Sequence, residues 1–397
     1  MSSMRSTGAG EADEVTIVML EFMLTSASET PVSLADVFPS CLAALGVDAH
    51  PNRLGLAPAH SAVVILVDGL GELNLKSHRA HARYLSSAKT GGALQTVFPS
   101  TTSSALASLT TGTWPGQHGL VGYKVRDPKS GSLINQLRDL GSVHDAGTWA
   151  LSTPLYSRAR DAGIATTVVS HPRLRATPLT SVIHAGAAVV SAPTIEERLE
   201  RASKLVAQQE SQLVLVYISE LDEAAHKFGV NSTEWTVWLE QLDHAVSHFT
   251  SRLPANVGVV LTADHGVVDV PAHKQLLFGT SDEQMQGISQ VGGEPRCLQL
   301  YIEEGAVASE VAARWNAEFG EVADVLTRDQ VIAHRLMGDV HPDAVDRMGD
   351  VFVIARKLVV FYDARDEAQT GRAMIGQHGS LSEDELRIPN LRWGAFS

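Results

Sequence analysis

Cysteine is almost absent from the 397-residue sequence, which contains only Cys41 and Cys297. Two cysteines in a chain of this length exclude a small disulfide-built scaffold and a zinc site made of thiolates. A hydrophobic fraction of 44% allows a sizeable core, so the fold does not need disulfides. We therefore expect both thiols to be free and buried.

Long apolar runs are also missing from the chain. A transmembrane helix needs about 20 consecutive apolar residues, so no membrane contact is predicted. The apolar stretch Val15–Leu24 is short and contains Glu21, which is typical of a strand or helix and not of a secretion leader. We expect a cytoplasmic protein.

Basic residues are fewer than acidic ones: Lys and Arg total 31, Asp and Glu total 45, and the net charge is -14. A nucleic-acid polymer is therefore not the expected partner, because binding to a phosphate backbone depends on positive charge. The chain also lacks a G-x-G-x-x-G turn after its first apolar strand, where VDGLGEL stands. This absence argues against a dinucleotide-binding protein. A small phosphorylated substrate such as a nucleotide remains compatible with the acidic charge, since bound divalent ions would neutralise part of it.

Apolar, β-branched runs alternate with helical segments over most of the chain. Strands are predicted at Ser61–Asp68, Thr166–Ser170, Leu213–Ile218 and Val257–Thr262, and helices at Thr102–Thr111, Ser157–Ala162 and Thr194–Gln209. This alternation predicts an α/β fold with a mostly parallel central sheet flanked by helices.

The pattern changes from about Lys274 onward. Strands at Cys297–Ile302 and within Asp350–Tyr362, separated by a helix at Ala308–Phe319, predict a smaller α+β lobe inserted into the core. We expect an N-terminal extension packed on the core at residues 1–57, the catalytic core at 58–273, the lobe at 274–370 and a return to the core at 371–397. The returning segment SLSEDELRIP predicts a final short helix and strand.

Metal-binding residue types occur at four places, each after a predicted strand. They are Asp68 in VVILVDG, Asp222 and His226 in YISELDEAAH, Asp264 and His265 in VVLTADHG, and His378 in GQHG. Asp222 and His226 are four residues apart, so they share one helical face and can chelate one ion. Three Asp and three His suffice for two divalent ions that each keep an open position for substrate. Carboxylates mixed with imidazoles favour Zn²⁺, with Mn²⁺ as the alternative, over Mg²⁺ or Ca²⁺.

A hydroxyl nucleophile is available in the segment FPSTTSSALASLTTG, at Thr101 or Thr102. Thr102 begins the predicted helix, where backbone N–H groups and the helix dipole favour a phosphate. A threonine hydroxyl is a weak nucleophile at neutral pH, but a bound cation lowers its pKa toward the alkoxide. Two metal ions about 4 Å apart would stabilise both the attacking and the leaving oxygen. The pattern therefore predicts hydrolysis of phosphate esters through a covalent phospho- or nucleotidyl-threonine.

Together and in this order, these motifs resemble the alkaline phosphatase superfamily, and most closely its type I phosphodiesterase/nucleotide pyrophosphatase branch. The resemblance extends from about Val63 to the C-terminus and includes the landmark TGTWPGQHG at Thr111–Gly119. Counting back from this landmark implies that the nucleophile is Thr102. The resemblance also implies that one zinc ion is bound by Asp222, His226 and His378 and the other by Asp68, Asp264 and His265. A sulfatase is not expected, because the chain has no C-x-P-x-R segment.

One position departs from the resemblance. Nucleotide pyrophosphatases have an Asn shortly after the landmark that binds a phosphate oxygen, and here the matching residue is Tyr123. Tyr123 either donates a hydrogen bond or packs as an ordinary aromatic residue, while Lys124 or Arg126 could supply positive charge. Successive side chains of an extended segment point in opposite directions, so we expect Tyr123 to face the phosphate and Lys124 to face away. This arrangement favours phosphodiesters or nucleotide pyrophosphates.

Two alternatives stay open at this point. A phosphomonoesterase or another phospho-ligand hydrolase would use the same site, and a non-catalytic family member is disfavoured because all six ligand positions and the threonine are intact. In the lobe, Arg296 and Arg347 are candidate substrate contacts, although a solvated or structural arginine is the preferred interpretation for each.

Overall fold

The structure is a computed structural model that describes residues 31–47, 50–143, 146–366 and 370–397. The apolar stretch Val15–Leu24 lies outside the described residues. The strands are β1 (Ser61–Val67), β2 (Lys89–Thr90), β3 (Leu94–Gln95), β4 (Lys124–Arg126), β5 (Leu133–Asn135), β6 (Ala165–Ser170), β7 (Ala188–Ser191), β8 (Gln212–Ile218), β9 (Val257–Thr262), β10 (Val268–Asp269), β11 (Gln275–Phe278), β12 (Ile288–Glu294), β13 (Cys297–Ile302), β14 (Ala323–Thr327), β15 (Val351–Ala355), β16 (Val360–Asp363), β17 (Gly376–Gln377), β18 (Arg387–Ile388) and β19 (Leu391–Gly394).

The α-helices vary widely in length. They are α1 (Val37–Ala44), α2 (Glu72–Ser77), α3 (Arg83–Ser87), α4 (Thr102–Thr111), α5 (Pro115–His118), α6 (Ala146–Trp149), α7 (Tyr156–Asp161), α8 (Pro178–Ile183), α9 (Ile195–Val206), α10 (Glu220–Phe228), α11 (Thr233–Thr250), α12 (Asp282–Met285), α13 (Ala308–Phe319), α14 (Arg328–Ala333), α15 (Pro342–Val345) and α16 (Glu383–Leu386). Single 3₁₀ turns occupy Leu34–Asp36, Leu140–Ser142, Pro172–Leu174, Ala272–Lys274 and Thr370–Ala373. Among the described residues, no helix combines the length and the apolar character that crossing a bilayer requires.

Seven strands form the central sheet, in the order β2-β19-β9-β1-β8-β6-β7. The five strands from β9 to β7 run parallel, and β1 lies between β9 and β8 with Val64 beside both Leu215 and Val260. All seven residues of β1 are buried, as expected for a strand covered by helices on both faces. The predicted α/β fold with a mostly parallel sheet is confirmed.

The other edge of the sheet is antiparallel. β19 pairs with β9, and β2 pairs with β19, both in the antiparallel sense. The sequence does not predict β19, because four residues are too few for a period of two to stand out.

Several predicted elements have the expected bounds. The helix at Thr102–Thr111 and the strand at Val257–Thr262 match their predictions, whereas the helix predicted to reach Gln209 ends at Val206. Thr194 caps that helix, because its side chain accepts a hydrogen bond of 3.2 Å from the backbone N–H of Glu197. The short final helix and strand, α16 and β18, are also present.

Both cysteines are free and buried, as predicted. Cys41 lies on α1. Together with Leu34, and with Phe38 and Leu42 of the same helix, it belongs to the hydrophobic core that also contains β1. Burial raises the pKa of the Cys41 thiol to about 12, so this residue is an unreactive packing group.

A smaller sheet in the order β12-β13-β15-β14 is antiparallel throughout. Helix α13 packs on it, and Trp315 and Phe319 of this helix join Phe361 in a separate hydrophobic cluster. The strands and the helix predicted between residues 297 and 362 are therefore present.

Candidate metal centre

Polar residues follow the central parallel strands and lie at one edge of the sheet. Asp68 follows β1, Asp264 and His265 follow β9, and β8 leads into α10, whose first turn carries Asp222. Because β1, β8 and β9 are parallel neighbours, these positions meet at their shared carboxyl edge. His226 lies one turn further along α10 and is half-buried.

His378 reaches this edge through a separate strand pair. β17, which directly precedes His378, runs antiparallel to β10, so that Gln377 lies opposite Val268. β10 begins just after the Asp264-His265-Gly266 turn, and its pairing therefore brings a residue more than 100 positions away in sequence to the same place. A backbone hydrogen bond of 2.8 Å from Ile375 N to His226 O ties the returning chain to α10.

All six predicted ligand residues come together, in two groups of three. Asp222, His226 and His378 form one group, Asp68, Asp264 and His265 form the other, and within each group the potential ligand atoms lie within 4.8 Å of one another. In the first group His226 Nε2 lies 3.2 Å from Asp222 Oδ2, and in the second His265 Nε2 lies 3.4 Å from Asp264 Oδ2. The His265 and His378 rings stack with centroids 3.6 Å apart, so the two groups are adjacent.

The three histidines of these groups all place Nδ1 against a backbone carbonyl oxygen. The pairs are His226 with Gly376 at 2.8 Å, His378 with Ser100 at 2.8 Å and His265 with Gly266 at 3.3 Å. An imidazole that donates from Nδ1 keeps Nε2 as an acceptor, which is the usual arrangement of metal-binding histidine. The Nε2 atoms of all three rings are therefore available to a cation.

The carboxylates have buried oxygens without hydrogen-bond partners. Asp68 Oδ1, Asp222 Oδ1 and Asp264 Oδ2 each lack a partner, whereas Asp264 Oδ1 accepts bonds from the backbone N–H groups of Gly69 (3.1 Å) and His265 (3.0 Å). Unpaired buried carboxylate oxygens are costly, and a divalent cation beside each group would satisfy them. The donor set of oxygens and imidazole nitrogens fits a borderline cation such as Zn²⁺ or Mn²⁺.

The charges of this cluster perturb one another strongly. Burial, and then the negative charges of Asp264 and Asp222, raise the pKa of Asp68 well above its usual range. Burial acts to lower the pKa of His226, but the Asp222 carboxylate outweighs it and raises that pKa to about 9. Mutual repulsion between carboxylates is relieved by a bound cation, so the electrostatics favour metal binding.

Thr102 is the first residue of α4, and its hydroxyl lies beside the second group. The Thr102 Oγ1 atom is 3.2 Å from His265 Nε2. The hydroxyl of Thr101 is instead directed to Glu294, with which it forms a hydrogen bond. The structure thus places the hydroxyl of Thr102, and not that of Thr101, next to the candidate metal ligands.

Comparison with known proteins identifies the family of the chain. A family model described as type I phosphodiesterase / nucleotide pyrophosphatase matches residues 62–381. The chain belongs to this family. Its class of activity is therefore that of a phosphodiesterase/pyrophosphatase-type phosphoester hydrolase. No curated protein matches the chain.

Solved structures similar to this family member share its fold. Murine ectonucleotide pyrophosphatase / phosphodiesterase 5 is 18% identical with a TM-score of 0.64, over 84% of this chain and 88% of that one. An inactive form of that murine protein in complex with AMP is 16% identical, with a TM-score of 0.62 over 84% and 88% of the two chains. Phosphonoacetate hydrolase from Sinorhizobium meliloti 1021, in complex with phosphonoformate, is 17% identical, with a TM-score of 0.64 over 85% and 91%.

The position at which this phosphodiesterase-family chain departs from the expected pattern lies close to α4. The hydroxyls of Ser103 and Ser104 donate to Gly122 O (3.0 Å) and Leu120 O (2.7 Å), so the segment before Tyr123 is held against α4. Tyr123 itself is half-buried. Lys124 begins β4 and is exposed, while the Arg126 guanidinium stacks over the Tyr301 ring at 4.8 Å. The Arg126 side chain is therefore engaged by Tyr301 of β13.

The landmark histidine has a structural role in this family member. His118 is fully buried, and burial lowers its pKa to about 3, so the ring is neutral. Its Nδ1 accepts the backbone N–H of Leu120 (3.1 Å), and its Nε2 lies 2.9 Å from Ser108 Oγ on α4. The TGTWPGQHG motif therefore stabilises the turn that follows α4.

Sequence reasoning misses three residues that support the ligands. The Tyr217 hydroxyl donates to Asp68 Oδ2. The Ser100 carbonyl oxygen lies against His378 Nδ1, and the Ser100 hydroxyl oxygen accepts from Gly379 N (3.1 Å). Buried Glu294 lies behind His378. Nothing in a single sequence marks an ordinary Tyr, Ser or Glu as the neighbour of a ligand far along the chain.

Gly266 is required at its position because another segment of the chain approaches it closely. It does not have a positive φ. A Cβ at Gly266 would collide with the carbonyl oxygen of Asp384, and Gly266 N donates to Glu385 O at 2.9 Å. The glycine therefore permits close approach of the returning C-terminal segment to the Asp264-His265 turn.

The two lobe arginines are structural, as preferred from the sequence. Arg296 is buried and binds Glu385 through two bonds, Nε to Oε1 at 2.8 Å and Nη2 to Oε2 at 2.7 Å. Arg347 Nη1 donates to Gly119 O (2.9 Å) and Trp149 O (2.6 Å). Neither guanidinium is available to a substrate.

Glu385→Gln should lower the free energy of unfolding by about 3–5 kcal/mol, because it leaves the buried Arg296 guanidinium without its counter-charge. Urea unfolding at unchanged m-value would measure the loss. Asp384→Asn, on the exposed side of the same short helix, is the matched control and should change stability by less than about 0.5 kcal/mol. Equal effects of the two substitutions would contradict a stabilising role for the ion pair.

Proposed function

We propose that this protein hydrolyses phosphodiesters or nucleotide pyrophosphates with two divalent ions, Zn²⁺ in the first instance, and with Thr102 as a covalent nucleophile. The observation that carries the proposal is the position of the Thr102 hydroxyl, 3.2 Å from His265 Nε2 in the second of two buried ligand groups. The groups Asp222/His226/His378 and Asp68/Asp264/His265 would each hold one ion. Membership in the family supports the reaction class.

In the first step, the Thr102 hydroxyl loses its proton to solvent and Thr102 Oγ forms a bond to phosphorus. The bond from phosphorus to the leaving oxygen breaks, and the leaving group departs as an anion or takes up a proton from solvent. The bound ions supply Lewis acidity that lowers the pKa of the attacking hydroxyl and stabilises the leaving oxygen. The first N–H groups of α4 have no acceptor within the helix, so they can donate to the phosphoryl oxygens. The helix dipole favours the negative charge in the same place.

In the second step, water attacks phosphorus and the bond from phosphorus to Thr102 Oγ breaks. Thr102 recovers a proton, and the phosphate or nucleoside monophosphate leaves. Side chains that bind neither ion keep the ligands in place: Tyr217 holds the orientation of Asp68, and Ser100 holds that of His378. Such supporting contacts contribute to both metal affinity and activity.

The substrate class is tested by assaying the zinc-loaded protein side by side on four compounds: p-nitrophenyl-TMP, bis-p-nitrophenyl phosphate, p-nitrophenyl phosphate and phosphonoacetate. The proposal expects the highest kcat/KM for p-nitrophenyl-TMP or the bis ester. Phosphonoacetate is included because phosphonoacetate hydrolase has the same fold. A preference for p-nitrophenyl phosphate would favour a phosphomonoesterase instead, and a preference for phosphonoacetate would favour phosphonate hydrolysis.

Tyr123→Phe should cost about 1–3 kcal/mol of transition-state stabilisation on p-nitrophenyl-TMP, because the phenol is proposed to donate a hydrogen bond to a phosphoryl oxygen. Lys124→Ala should have little effect, since Lys124 is exposed at the start of β4. The comparison of kcat/KM for both variants with the parent protein checks this. A neutral Tyr123→Phe together with a severe Lys124→Ala would contradict the assignment and point to a more anionic substrate.

A further inference from the structure

Glu294, at the end of β12 in the lobe, is a buried acid next to the proposed metal centre. The residue is 6% exposed, and its Oε1 atom has no hydrogen-bond partner. The nearby Arg296 does not neutralise it, because that guanidinium is bound to Glu385. A buried carboxylate without a cationic side chain is unusual in a folded protein.

The surroundings of Glu294 are the nucleophile segment and the His378 turn. The Thr101 hydroxyl forms a hydrogen bond with Glu294, and Glu294 Oε2 lies 3.9 Å from His378 Nδ1. Gly379 has a φ of 126°, and a Cβ there would lie 2.5 Å from Glu294 Cδ. The glycine thus leaves the space that the carboxylate fills, directly behind a predicted metal ligand.

The two ligand groups differ in charge. Asp68, Asp264 and His265 contain two carboxylates, whereas Asp222, His226 and His378 contain one. An ion held by Asp222, His226 and His378 would therefore have fewer negative ligands around it. Glu294 lies beside that group, at a position behind His378. Burial raises the pKa of its carboxyl well above the usual range, so its contribution to that group is one of position and shape.

We infer that Glu294 is a positioning residue that selectively strengthens cation binding by Asp222, His226 and His378. It does so by holding the His378–Gly379 turn against Thr101. The inference rests on the proposed two-ion centre. It also gives the lobe a role in that centre, because β12 comes from the lobe and the ligands come from the core.

The test measures zinc affinity and not turnover. Metal-free protein is dialysed against a series of buffered free-zinc concentrations, and bound zinc is counted by elemental analysis. Glu294→Ala, which removes the side chain that packs against the turn, should weaken one of the two sites about 10–100-fold, whereas Glu294→Gln, which keeps the shape and one acceptor oxygen, should retain most of the affinity. The other site should keep the affinity of the parent protein.

Double variants identify the affected site. In the Asp264→Ala background the remaining ion is bound by Asp222, His226 and His378, and adding Glu294→Ala should weaken it about tenfold or more. In the His226→Ala background the remaining ion is bound by Asp68, Asp264 and His265, and adding Glu294→Ala should leave it unchanged. Glu304→Ala, at an exposed acid on the same lobe, is the matched control and should affect neither site.

Thermal unfolding of the metal-free variants separates positioning from general stability. Parallel weakening of both sites together with a lower Tm of the metal-free Glu294→Ala protein would overturn the inference, as would unchanged affinity at both sites in Glu294→Ala. A parent protein that binds two zinc ions but hydrolyses none of the four compounds would overturn the proposed function alone. A parent protein that binds no zinc would overturn both.

Discussion

Thr102→Ala should lower kcat on p-nitrophenyl-TMP by about 10³-fold or more, while zinc content stays at the level of the parent protein. The hydroxyl is the proposed nucleophile but is not a member of either ligand group. Its removal therefore eliminates the covalent step and leaves the six ligands in place. Single-turnover kinetics and elemental analysis of the same preparation measure the two quantities together.

Thr102→Ser and Thr101→Ala are the matched controls for this result. Serine keeps a hydroxyl at position 102, so measurable activity should remain. Thr101→Ala should cost far less, because the Thr101 hydroxyl is directed to Glu294 and not to His265. A phosphoryl or nucleotidyl adduct trapped on the peptide that contains Thr102 would be direct support. An inactive Thr101→Ala with an active Thr102→Ala would contradict the assignment.

Removal of the metal ions should abolish activity, and Zn²⁺ or Mn²⁺ should restore it. Asp264→Ala should have a similarly large effect through one ion, with a loss of about 10³-fold or more in kcat, because Asp264 is fully buried and its free oxygen faces His265. His378→Ala should weaken the other ion. This variant is the most informative one, since His378 reaches the site only through the pairing of β17 with β10.

Zinc should also stabilise the fold, because it binds the native state and relieves repulsion among the buried carboxylates. At a free concentration of about 1,000 times Kd, each bound ion would add about 4 kcal/mol to the free energy of unfolding. His244→Ala, an exposed histidine on α11, should change neither zinc content nor activity. Absence of stoichiometric metal after dialysis with zinc would contradict the two-ion centre.

Secondary structure was predictable wherever burial leaves a clear pattern. The strands at Val257–Thr262 and Cys297–Ile302 and the helix at Ala308–Phe319 have the bounds expected from their apolar residues. Short pairs such as β10 and β17 were not predictable, because two residues carry no periodicity. These pairs matter for the site, since they bring His378 to the other ligands.

The sequence by itself determined the ligand types, their order and the edge of the sheet at which they gather. Parallel strands present their carboxyl ends on one side, so residues that follow β1, β8 and β9 are neighbours whatever the loops between them do. The choice of Thr102 over Thr101 came from the resemblance to the family, since both residues carry the same hydroxyl.

Only the tertiary structure decided what surrounds the ligands. The direction of each threonine hydroxyl, the carbonyl oxygens that accept Nδ1 of the histidines and the position of Glu294 behind His378 depend on contacts between segments that are distant in sequence. Such contacts follow from three-dimensional packing, in which one side chain fills the space that another leaves. Composition and spacing along a single chain contain no record of them.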